Sequence, residues 1–195
     1  MSNTPRCFIW GTAAIEIYAA RAESGGLLAA AICDSPRAGG KYWISLQAQH
    51  FFENPDQFDW IDDALKARLT TWLIEQREAG VECPKIYGRD INKFKTRGAL
   101  LMKQRAQKLL TYISLSLADA ADFFVVKANR GQRNEMLAWS ESISDEQLGN
   151  VLRYLVESNY LARGSKKNRF RLTATGHEEV AKKKDRRERE ETSSD

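Results

Sequence analysis

A chain of 195 residues can bury one well-formed core or two small ones, and 43% hydrophobic content with five tryptophans excludes a wholly disordered polymer. Thirty Lys and Arg stand against 26 Asp and Glu, a net charge of +4, so any attraction to a polyanion has to come from local clusters. Three cysteines do not make a disulfide framework, and no apolar run approaches the roughly 20 residues that span a bilayer, so the expected compartment is the cytoplasm, with no membrane partner.

The first segment, 1–55, reads as a small β-rich unit. Cys7–Thr12 opens it, and strands are expected at Glu16–Tyr18, Leu27–Cys33 and Tyr42–Ser45, with a hairpin-type turn at Ser24–Gly26. Cys7 and Trp10 are spaced as a Cys-x-x-Cys pair, and Ser35 and Ala38 as a second one, both beside strands. In a zinc ribbon those four positions would be thiolates around a tetrahedral metal. With only Cys7 kept, one reading is a ribbon-like scaffold that has replaced its metal by packing, Trp10 filling the space. The other is that the spacing is chance. Neither implies a bound metal or a cofactor.

The second segment, 56–126, is expected to be helical. Ile61, Leu65, Leu69, Trp72 and Leu73 make an apolar stripe within Asp59–Ala79, stopped by Gly80. Asp62 and Asp63 read as N-terminal helix chemistry rather than a catalytic carboxylate pair. A second helical stretch over Asp90–Leu117 is expected to break near Gly98. Between Lys85 and Lys108 there are eight Lys or Arg and one acid, Asp90. Lys93, Lys95, Arg97, Lys103 and Arg105 are candidate phosphate contacts, against the alternative that they pair with the acidic helix before them. The polar run Lys127–Arg133 is expected to link this segment to the next.

The third segment, 134–184, has the element order of a winged helix-turn-helix. Ser144–Gln147 is a capping box that starts a helix at Asp145. Leu148, Val151, Leu152, Leu155 and Val156 face inward, and a strand, a basic loop, a second strand around Phe170–Leu172 and a final helix follow. The exposed side of the first helix presents Asn150 and Arg153, residue types that read base edges, but also Glu146 and Glu157, which repel phosphate. Residues 160–177 hold five cations, Arg163, Lys166, Lys167, Arg169 and Arg171, and no acid. Such a hairpin suits backbone or minor-groove contact with DNA in preference to RNA. It equally suits a rigid protein-docking module with a solvated turn. The last residues, 185–195, read as a charged flexible tail.

The segments Cys7–Ala13, Asp34–Ser45, Arg68–Arg77, Arg97–Leu101, Tyr112–Ile113 and Leu137–Glu141, with the winged helix, resemble a group of bacterial proteins. These have a zinc-ribbon-like, often degenerate N-terminus and a winged helix, commonly fused to TIR-like or nucleoside-deoxyribosyltransferase-like effector domains in antiphage defence. The resemblance spans about residues 5–180 and implies a sensing or adaptor role, with a separate effector protein as partner because the chain stops where the effector domain would begin.

The expected fold is therefore α+β: a ribbon-like β unit, a helical middle and a C-terminal winged helix. No P-loop, nucleophile elbow or metalloprotease motif is present. The expected function is a non-catalytic nucleic-acid-binding adaptor or regulator. The alternatives are a protein–protein scaffold and a homodimeric autorepressor, which would need a palindromic site.

Overall fold

The computed structural model describes residues 4–20, 30–54, 56–119, 122–127, 129–166 and 168–192, with residue 184 and residues 186–192 described by backbone alone. The protein is a mixed α+β chain with, among the described residues, seven α-helices and two small sheets. In chain order the elements are β1 (Glu16–Ala20), β2 (Ala30–Ser35), a 3-10 turn (Pro36–Ala38), β3 (Gly40–Ser45), α1 (Leu46–Glu53), α2 (Asp63–Glu78), β4 (Lys85–Ile86), a second 3-10 turn (Gly88–Asp90), α3 (Lys93–Thr96), α4 (Met102–Leu115), β5 (Phe124–Val125), α5 (Arg130–Trp139), α6 (Asp145–Glu157), β6 (Leu161–Arg163), β7 (Arg169–Leu172) and α7 (Ala174–Thr192). They gather into two compact units, Met1–Ala99 with Arg130–Ile143, and Leu100–Asn129 with Ser144–Asp195. Packing draws these units across the composition-based segments 1–55, 56–126, 134–184 and 185–195. Among the described residues no helix is long and apolar enough to cross a membrane.

The first unit is built on the sheet β1-β2-β3-β4, antiparallel except for the parallel β3–β4 pair. The expected turn at Ser24–Gly26 lies outside the described residues, and β2 is described from Ala30 onward. The two-residue period of a strand puts Ala31, Cys33 and Ser35 of β2 on one buried face, and Cys33 pairs in register with Tyr42 of β3. Against that face α2 lays Leu65, Leu69 and Leu73, joined by Ile61, Ile86 and Ile91. Asp62 caps α2, its carboxylate accepting from the Leu65 amide at 2.6 Å, and Asp63 pairs with Lys66 at 3.1 Å, so both acids serve the helix start.

The turn between β2 and β3 is the tightest joint of this unit. Gly39 and Gly40 have φ of 73° and 123°, where a side chain is strained, and a Cβ at Gly39 would meet Ile74 of α2 at 2.5 Å. Arg77, one helical turn on from Ile74, closes the joint. Its Nη1 donates to the Gly39 carbonyl at 2.8 Å, and its Nε and Nη2 donate to the Lys41 carbonyl at 3.1 and 2.8 Å. On the other side the Arg37 Nη2 donates to the Ser142 carbonyl at 2.7 Å, which ties the segment after α5 to the same turn. The run Lys127–Arg133, expected as a linker, thus enters a helix at Arg130 whose apolar Met136, Leu137 and Ala138 are buried. The stretch expected as one broken helix over Asp90–Leu117 is α3, an extended passage and α4, which belongs to the other unit.

In the second unit α4 buries Ala106, Leu109, Leu110 and Ile113, and α6 buries Leu148, Val151 and Leu155. The α6 start is the expected one, with the Ser144 hydroxyl accepting from the Gln147 amide at 3.3 Å. The sheet has the order β5-β7-β6, so the first strand pairs with the last, Phe124 opposite Phe170 and Leu161 opposite Leu172. The final helix α7 is tied to α4 by Gln107 donating to Glu179 at 2.6 Å and by Lys183 donating to Thr111 at 3.3 Å. It runs through most of the stretch expected as a tail, to Thr192.

Removing the Arg77 guanidinium leaves the Gly39 and Lys41 carbonyls without their charged donor. Arg77→Met is expected to lower stability in urea denaturation by about 2–3 kcal/mol, and Arg77→Lys to recover less than half, because an ammonium lacks the planar fork. A loss under about 0.5 kcal/mol, the size of an ordinary surface change, would contradict this role for the joint.

Candidate nucleic-acid interface

The β6–β7 hairpin is closed by its own backbone. The Gly164 amide donates to the Arg169 carbonyl at 2.8 Å, and the Arg169 amide to the Lys166 carbonyl at 3.0 Å. Asn168 is clasped to Val126 just beyond β5, its carbonyl accepting from the Val126 amide at 2.9 Å and its side chain donating to the Val126 carbonyl at 3.1 Å. The tip is therefore fixed to a third strand rather than projecting alone.

Residues opposite each other in paired strands share a face. Arg171 lies opposite Ala162, and Arg169 opposite Val125, on the face away from the buried Phe170 and Leu172. Arg163 lies opposite Phe170 at the strand end, where it is exposed. Lys166 is exposed in the loop, and Lys167 lies outside the described residues. The Arg169 guanidinium stacks over the Phe123 ring at 4.5 Å, which holds it along the sheet. Arg169 and Arg171 thus share one face of the hairpin, Lys166 is exposed in its loop and Arg163 falls on the Phe170 face at the strand end, and Phe123, which no periodic pattern marks, orders Arg169.

The α6 face is weaker. Arg153 donates to the Asn150 side chain at 3.3 Å, so the two residues suited to base edges are turned toward each other. Glu146 and Glu157 are exposed on the same helix.

The five other candidate cations divide between the units. Lys93, Lys95 and Arg97 lie in the first, where each has an internal partner: Lys93 pairs with Asp90 at 2.6 Å, Lys95 sits 3.5 Å over the Trp60 ring, and Arg97 pairs with Glu75 of α2 at 2.6 Å. Lys103 and Arg105 lie at the start of α4 in the second unit, and Arg105 donates to Gln147 at 3.2 Å. The structure does not bring the five together in one compact unit.

The ribbon-like positions lie in and against the core of the first unit. The buried Cys7 thiol lies 3.4 Å from the Tyr42 hydroxyl, and the buried Ser35 hydroxyl and Cys33 thiol adjoin it. The half-buried Trp10 packs against the core cluster that holds Cys7, Ala38 and Tyr42, its nitrogen donating to Thr70 at 2.9 Å and its ring lying under the Arg37 guanidinium at 3.8 Å. Among the described residues no group of three or more His, Cys, Asp and Glu could hold a metal ion. Arg37 itself gives little signal in the sequence. An arginine between Pro36 and Gly39 reads as a solvated turn residue, whereas it is buried and pulled down to about 10 chiefly by desolvation.

No family model matches the chain, and no curated protein and no solved structure is detectably similar to it.

Burial opposes ionisation of Cys7, but the polar groups beside it, the Cys33, Ser35 and Tyr42 side chains and the Trp10 backbone, outweigh it and lower its pKa to about 6. The neighbouring Cys7 thiol and burial push the free Cys33 thiol up. A folded pKa below that of a free thiol adds stability that is full above the free-thiol range and is lost as pH falls through about 6. Ultraviolet thiolate absorbance of the folded protein should rise with a midpoint near pH 6, disappear from that range in Cys7→Ser, and persist in Cys83→Ser. A first thiolate appearing only above pH 8 would show that burial dominates.

Proposed function

We propose that the Leu100–Asn129 and Ser144–Asp195 unit is a nucleic-acid-binding module of winged-helix type and that the chain acts as a non-catalytic adaptor or regulator. The observation that carries this is the hairpin: four described cations, Arg163, Lys166, Arg169 and Arg171, on a backbone-closed element that has no acid between residues 160 and 177. The strand order β5-β7-β6 between α4, α6 and α7 supports the winged-helix reading, because in that fold too the first strand pairs with the last. The cations engage phosphate rather than base edges, and the acidic residues of α6 keep that helix out of intimate groove contact. Affinity is then modest, salt-dependent and nearly indifferent to sequence, with duplex DNA preferred over RNA. The resemblance described above extends this to the sensing partner of a separately encoded effector in bacterial defence.

The exposed Glu146 and Glu157, and the mutual bond of Asn150 and Arg153, favour one rival reading, in which α6 docks a partner protein.

Fluorescence anisotropy with labelled duplex DNA, single-stranded DNA and RNA separates the two. Binding is expected at low salt, and Lys166→Glu with Arg171→Glu should weaken it about tenfold or more while reducing the slope of log affinity against log salt by about 1–2. No binding to any of the three at low salt would overturn the nucleic-acid reading.

A further inference from the structure

The first unit contains a cleft of about 680 Å³ that no part of the nucleic-acid reading uses. Arg6, Arg37, Arg130 and Arg133 line it, with Trp10 and Thr12. Among the described lining residues the acid is Asp63, which pairs with Lys66 at 3.1 Å.

Two of the lining residues carry a buried polar atom without a hydrogen-bond partner among the described residues. Arg37 is only 3% exposed, and after its bond to Ser142 and its stacking on Trp10 its Nη1 has no hydrogen-bond partner among the described residues. The Thr12 hydroxyl is likewise buried without a partner. A buried guanidinium nitrogen left unpaired costs far more than an exposed one, and an arginine fork beside a hydroxyl matches the oxygens of a phosphate group. Asp63 favours the charge on Arg37 and the weaker influence of Arg133 opposes it.

The volume is in the range of small-molecule sites and well beyond a lone phosphate. Beside the cations the wall is apolar at Leu137, Ile143 and the Trp10 ring, whose orientation is fixed by its bond to Thr70. We propose that this cleft binds a small phosphate-bearing ligand of nucleotide size, with Arg37 and Thr12 holding the phosphate and the Trp10 side receiving the organic moiety. The site is separate from the hairpin and does not depend on the hairpin's function.

Isothermal titration of the full chain with pyrophosphate, adenosine 5′-diphosphate and adenosine tests this. Saturable binding of pyrophosphate or the nucleotide, with none for adenosine, is expected, and tighter binding of the nucleotide assigns the apolar wall a part in it. Arg130→Glu alters an exposed residue and leaves buried Met136–Ala138 in place, so it should fold and should weaken binding about tenfold or more. Arg37→Met should abolish binding, while Lys166→Glu with Arg171→Glu should leave it unchanged. Absence of binding by both phosphate probes, equal binding of adenosine, or indifference to Arg130→Glu would overturn the proposal.

Discussion

The turn from Ser35 to Gly40 leaves one strand, reverses and starts the next inside a packed core, and two guanidinium groups make that arrangement feasible. Arg77 comes from α2 to the carbonyls of Gly39 and Lys41, and Arg37 goes out from the turn to the carbonyl of Ser142. Backbone carbonyls in such a turn would otherwise be buried without donors. The close approach of Ile74 excludes a Cβ at Gly39, so the two glycines and the two arginines form one constraint. From it follows the placement of Arg130–Ile143, which lies far away in sequence but packs with the first unit. The cleft follows as well, since Arg37 and Leu137 share its wall.

The two units use positive charge differently. In the first, Lys93, Lys95 and Arg97 face Asp90, the Trp60 ring and Glu75, so most of their field is met within the protein. In the second, Lys166 and Arg171 are exposed on a hairpin whose own backbone bonds hold it closed. A chain of net charge +4 can therefore present a local cationic surface without a global field. Exposed pairs such as Lys93–Asp90 contribute little to stability, so their effect is mainly on where free positive potential remains.

Features governed by neighbours in sequence were legible in the chain. Ser144 caps α6 as its box suggests, Asp62 caps α2, and the stripe Leu65, Leu69 and Leu73 faces the core. The strands around Tyr42 and Phe170 also follow from their apolar residues. Features set by distant partners were not. Arg37 in a Pro and Gly turn carries no mark of burial, because its partner Ser142 is 105 residues away. Strands β4 and β5, two residues each, are too short for any period to show. Trp10 has the spacing of a ligand position, yet its ring follows Arg37 and Thr70, which spacing cannot reveal. The hairpin cations were legible as a cluster, but which face each takes depends on the pairing register.

Hydrogen exchange on Gly39→Ala against the natural chain most directly tests the turn as organiser of the first unit. The expected result is lost protection in β3, in the C-terminal half of α2 and in Arg130–Ile143 together, with α6 and the β6–β7 hairpin unchanged. Loss confined to Gly39 and its immediate neighbours, with Arg130–Ile143 as protected as before, would contradict the account.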